Sequence, residues 1–167
     1  MLIYHPAYDA NHGMFRMLRL LDANPDHTLK WDTFRIIDIY YLFPHLLLNA
    51  RLPRNLTKVK KMLGAGDSKY NRAPSPNLFI QQLSGLHESI AMSLVSKGLI
   101  EEMAFKAGTL KRTAIAIPTP VQTAFAQASG DDALVRLLAI DLASLPLSGQ
   151  NGLKGRTGLL EHYYDPA

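Results

Sequence analysis

His5 and His12, with Asp9 between them, come nearest in this sequence to a set of metal ligands. Two imidazoles and a carboxylate can hold a divalent cation. Both histidines flank the start of the first helix, where a surface or capping role accounts for them better, so no metal is expected. The remaining motifs of catalysis are absent: there is no His-Glu-x-x-His helix, no Gly-x-Ser-x-Gly elbow and no dinucleotide fingerprint. His87-Glu88 reads as a helix start, with Glu88 at the positive end of the helix dipole. Glu101-Glu102 and Asp131-Asp132 read as solvated or capping carboxylates. Asp38 differs, because it interrupts the apolar run Ile36 to Leu48. A buried carboxylate needs a partner, and Arg16, Arg19 and Arg35 are the candidates for a structural ion pair. These residues supply no nucleophile, base and oxyanion donor together. The expectation is a non-enzymatic protein without a cofactor.

Charge suggests binding. Between Arg51 and Arg72 stand seven basic residues and one acid, Asp67, whereas the rest of the chain is slightly acidic. Arg51, Arg54, Lys58, Lys60 and Lys61 lead this cluster, and Lys106, Lys111 and Arg112 form a second group. Such residues can form a solvated face, neutralise nucleic-acid phosphates or meet an acidic partner. The helix ahead of the second group offers His87, Glu88, Ser89, Met92, Ser93 and Ser96, with no arginine to read base edges. Protein contact therefore fits that region better than sequence-specific DNA recognition.

The elements that position these residues follow from periodicity and punctuation. The chain has 167 residues, is 47% hydrophobic and lacks cysteine, which fits an ordinary core in a reducing compartment. No signal peptide is read at the N-terminus, and the apolar run to Leu48 is too short and interrupted to span a bilayer. The expected location is cytoplasmic. Met14, Leu18 and Leu21 predict a helix over 9–22 capped by Asp9. A second covers 30–43 and stops at Pro44, and a short basic helix covers 54–63. A fourth covers 86–97, with Ser84-Gly85 as a possible turn before it and Gly98 as a left-handed cap. Residues 101–105 and 110–117 around Lys106-Ala107-Gly108-Thr109 predict a β-hairpin. Thr119, Pro120 and Gln122 predict a capped helix start, and a last helix spans 131–143. The expected fold class is mainly α with a small β-hairpin, a single helical domain over 1–147. Within it, helix, Lys97-Gly98-Leu99-Ile100 and hairpin follow the order of a winged helix, over about 78–129. Residues 148–167, with Gly149, Gly152, Gly155 and Gly158, read as a tether whose apolar end can dock.

Four phrases together resemble a known family. They are Tyr4-His5-Pro6-Ala7-Tyr8-Asp9 with Asn11-His12, Arg35-Ile36-Ile37-Asp38 with Tyr41-Leu42-Phe43-Pro44-His45, Arg51-Leu52-Pro53, and Lys97-Gly98-Leu99-Ile100. They are similar to the middle components of bacterial ABC-three-component systems, also called Lamassu-type defence systems, over roughly residues 4–100. The resemblance implies a small non-enzymatic subunit that joins an SMC-like ABC ATPase to an effector, often a nuclease, in defence against phage or plasmids. It implies packing and interface roles for Tyr4, His5, Pro6, Tyr8, Asp9, Asn11, His12, Asp38, Phe43, Pro44 and His45, and carries over no catalytic residue. Direct contact with DNA stays open, as does the alternative of a free-standing winged-helix DNA-binding regulator.

Overall fold

The computed structural model describes residues 5–64 and 75–161. Tyr4, Lys69, Arg72 and the aromatic end of the tail lie outside the described residues.

Helix α1 (Ala10–Ala23) starts where the Asp9 side chain accepts the His12 N–H at 2.8 Å. It ends at Asn24, whose side chain reaches across to the Ala139 carbonyl. Strand β1 (Thr28–Lys30) leads into α2 (Trp31–Leu42), which buries Phe34, Ile36, Ile37, Asp38, Ile39 and Tyr40. Pro44 then opens a 3-10 turn, Pro44–Asn49, since it cannot extend the α-helical hydrogen-bond ladder. The basic segment forms a 3-10 turn, Arg54–Leu56, and α3 (Thr57–Gly64).

Helix α4 (Pro76–Ser96) runs unbroken for 21 residues. This corrects two expectations: Ser84-Gly85 is no turn, and His87-Glu88 is no helix start. Gly85 faces open space, so nothing forces a break there. The buried stripe Phe79, Leu83, His87, Ile90 and Leu94 keeps helical period straight through it. Gly98, at φ +72°, ends the helix as expected.

The mainly α fold with a small antiparallel sheet holds, but the sheet is built differently from the expected hairpin. Residues Glu102–Lys106 form a helix, α5, so the predicted first arm is not extended. Strand β2 (Thr109–Lys111) pairs instead with the distant β1, Leu29 opposite Leu110. Its other side meets Leu99–Glu101: Ile100 bridges Arg112, the Glu101 N–H donates to Lys111 and the Thr113 N–H to Leu99. Alternation alone cannot tell a neighbouring partner from a remote one.

Helix α6 (Thr119–Gln127) has Pro118 at its N-cap, and the Gln122 side chain donates to the Ile117 carbonyl. The expected Thr119 cap and its capping box therefore do not form. Helix α7 (Asp132–Arg136) continues as a π-helical turn, Leu137–Leu142, burying Leu134, Leu138 and Leu142 against α1 and α2. The tether reading also fails. Residues Leu153–Thr157 form α8, Leu153 and Leu159 are core residues, and the Arg156 carbonyl accepts the Arg51 backbone N–H. The Arg156 side chain adds a second bond, to the Arg51 carbonyl.

Candidate functional site

The centre of the molecule is polar. Asp38 on α2 is fully buried and takes two hydrogen bonds from Arg16 on α1: Nε to Oδ1 at 2.7 Å and Nη2 to Oδ2 at 3.1 Å. His87 on α4 donates from Nε2 to the same Oδ2 at 2.9 Å, which assigns its proton to that nitrogen. Three helices are thus tied through one carboxylate. Burial pushes the Asp38 carboxyl up, but the Arg16 guanidinium and the His87 N–H outweigh it and hold it at about 2. The Phe34 and Trp31 rings stand T-shaped to His87 and close the cluster from the side.

Helix α1 approaches α4 closely enough to make these bonds because residue 13 is glycine. A Cβ there would stand 2.5 Å from Ile90 Cδ1. The remaining Arg16 nitrogen, Nη1, donates to His12 Nδ1 at 2.6 Å. His12 is solvent-exposed, so the cluster reaches the surface at one point. Partial burial first, and then the Arg16 charge, lower the His12 pKa from its usual value.

His5 belongs elsewhere. Its Nδ1 accepts the Ala7 N–H, and its ring stands among Tyr8, Phe43 and Phe79 with centroids 5.8–6.1 Å apart. Tyr8 is half exposed and donates its hydroxyl to Gln82 on α4. His45 meets the edge of Phe43, Pro44 starts the adjoining turn, and Pro6 starts its own turn at the surface. Asn11 is exposed on α1. Of the family-motif residues, His5, Tyr8, Phe43 and His45 thus fall in or beside an aromatic joint with Phe79, His12 and Asp38 fall in the ion-pair cluster, and Asp9 caps α1. His5 and His12 do not share a site, and among the described residues no three acidic or imidazole side chains converge as metal ligands do.

The cations separate into two kinds. Lys106 pairs with Glu102 and Lys111 with Glu101, while Arg112 donates to the carbonyls of Leu99 and Ile115. Burial lowers the Arg112 pKa. Arg112 therefore ties the end of β2 to the chain on either side and forms one wall of a cleft with Asp22, His27 and Phe125. In the first group Lys60 donates to the Ala50 carbonyl. Arg51, Arg54, Lys58 and Lys61 are exposed and make no ion pair among the described residues.

Sequence reasoning named Arg16 as one of three partners for Asp38 and missed His87. The signal was present: Leu83, His87, Ile90 and Leu94 lie on one helical stripe, so His87 sits on the apolar face of α4. It was obscured by the break inferred at Ser84-Gly85. Gly13 carried its own signal, a glycine inside a strong helix without a turn to justify it.

No helix among the described residues is long and apolar enough to cross a membrane. Neither the comparison with curated proteins nor that with solved structures gives a match. One family model matches residues 2–165, described as the ABC-three component (ABC-3C) system Middle Component 5. With a match of that extent, the chain belongs to the Middle Component 5 family of ABC-three component systems.

Proposed function

We propose that this chain is the non-enzymatic adaptor of a Lamassu-type defence system, linking an SMC-like ABC ATPase to an effector such as a nuclease in the cytoplasm. The observation that carries this reading is membership, over residues 2–165, of a family of components from a multi-part system. The surface supports it. An adaptor needs separate faces for separate partners, and α4 presents one of them. Leu78, Gly85, Ser89 and Met92 line an exposed, uncharged stripe, with Leu78 48% and Met92 61% exposed and Glu88 on its flank. Exposed apolar groups at helical spacing suit the docking of another helix. The second face is cationic and lies on α3. Within about 78–129, α4, Leu99–Glu101, α5 and β2 follow one another, and this order supports a winged-helix-like unit with α5 in the place of the wing.

Co-expression with the ATPase and effector encoded beside it tests the proposal. The expected result is a stable co-purifying complex that Leu78→Arg with Met92→Arg weakens, while the variant stays folded by circular dichroism. A chain that elutes alone from both neighbours removes the adaptor reading.

A further inference from the structure

The cationic unit at residues 51–64 is the strongest unpaired charge feature of the described surface. We infer that Arg54, Lys58 and Lys61 form a docking face for the phosphate backbone of duplex DNA, used without regard to base sequence.

Their spacing puts them on one side of the Arg54–Gly64 helical unit, each about one turn from the next. All three are exposed and none has an ion-pair partner among the described residues. The contrast lies within the same molecule: Lys106, Lys111, Lys154, Arg19 and Arg35 each stand against a carboxylate. A single-signed exposed face attracts polyanions.

The unit is held rigidly, which limits the entropy lost on binding. Leu56 is buried, and Lys60 anchors the inner side of α3 to the Ala50 carbonyl at 2.7 Å. Gly64 lies so close to Leu48 that a Cβ would stand 2.8 Å from Leu48 Cγ. Arg51, at the head of the unit, is fastened to Arg156 by its backbone N–H and its carbonyl.

The chemistry favours phosphate over the alternatives. No aromatic residue lies between Asn49 and Gly64, so the face lacks the stacking platforms that single strands require. Two of the three cations are lysines, which act as point charges toward phosphate and are depleted from protein–protein interfaces. Met62, exposed on the flank, is the feature an acidic protein partner would use instead. This inference does not depend on which proteins the adaptor joins.

Fluorescence anisotropy of the purified full chain with two 30-base-pair duplexes of unrelated sequence tests it, with poly-glutamate as the competing polyanion. Equal affinity for both duplexes is expected. For three phosphate contacts, affinity should fall about 40-fold between 50 and 200 mM salt. The triple variant Arg54→Gln, Lys58→Gln, Lys61→Gln should lower DNA affinity at least tenfold and flatten the salt slope by about three. Lys106→Gln with Lys111→Gln should leave both unchanged. Circular dichroism of each variant separates lost binding from lost folding. The inference is overturned by an unchanged affinity in the folded triple variant, by a strong preference for one duplex, by tighter binding of poly-glutamate, or by no binding at 50 mM salt.

Discussion

Arg16 grips Asp38 through two hydrogen bonds, at 2.7 and 3.1 Å, with both side chains fully buried. Neither charge meets water, so each depends on the other. Replacing a buried pair together is often tolerated, whereas removing one partner leaves an uncompensated charge. Asp38→Ala should therefore destabilise the fold by about 3–5 kcal/mol. Arg16→Met with Asp38→Leu should cost clearly less than the sum of the single changes. Urea denaturation of the two singles and the double measures this, and strict additivity would contradict the coupling.

The same pair sets an acid limit. Asp38 ionises at about 2 in the folded chain against 3.8 for an unperturbed carboxyl. Between these values the unfolded state binds more protons, so stability rises with pH. The contribution, about 2–3 kcal/mol, is complete above about pH 4 and is lost as pH falls toward 2. Denaturation midpoints from pH 5 to pH 2 should decline steeply in the native chain. Asp38→Asn should flatten that decline.

The Gly13 crossing makes a sharper test of the packing. An alanine there meets Ile90 Cδ1, and overpacking costs about 1–3 kcal/mol. Alanine's better helix propensity returns up to about 1 kcal/mol. Ile90→Val removes the methyl that would clash. Gly13→Ala should thus be less destabilising in the Ile90→Val background than alone, by about 1 kcal/mol. A thermodynamic cycle over the four proteins reads the difference directly.

Leu153 distinguishes a docked segment from a tether. It is fully buried beside the core, in a glycine-rich stretch that could have been loose. Leu153→Ala should cost about 2–5 kcal/mol, as for other buried leucines. A tether would show no change in the denaturation midpoint.

The aromatic joint predicts a local effect. Tyr8 spans from the first turn to Gln82 on α4 while its ring lies 5.6 Å from Phe79. Because Tyr8 is half exposed, Tyr8→Ala should cost only about 1–2 kcal/mol, the worth of one hydrogen bond and an aromatic contact. Hydrogen exchange should rise mainly at the start of α1. Unfolding of the whole chain by this change would mean that the joint carries more of the fold.

Several features were determined by the sequence itself, because they depend on residues close along the chain. Asp9 caps α1, Pro44 ends α2, Gly98 turns the chain after α4, and the apolar period marks the buried faces. The need of Asp38 for a cationic partner also followed from residue type and context. Tertiary structure alone decided which arginine answers it, and that His87 joins them, because Arg16 and His87 come from helices far apart in sequence. It also decided that β2 pairs with β1, that Glu102–Lys106 turns helical, and that the glycine-rich tail docks. In each case the local pattern fitted more than one partner, and the contacts that select between them form only when distant segments share one core.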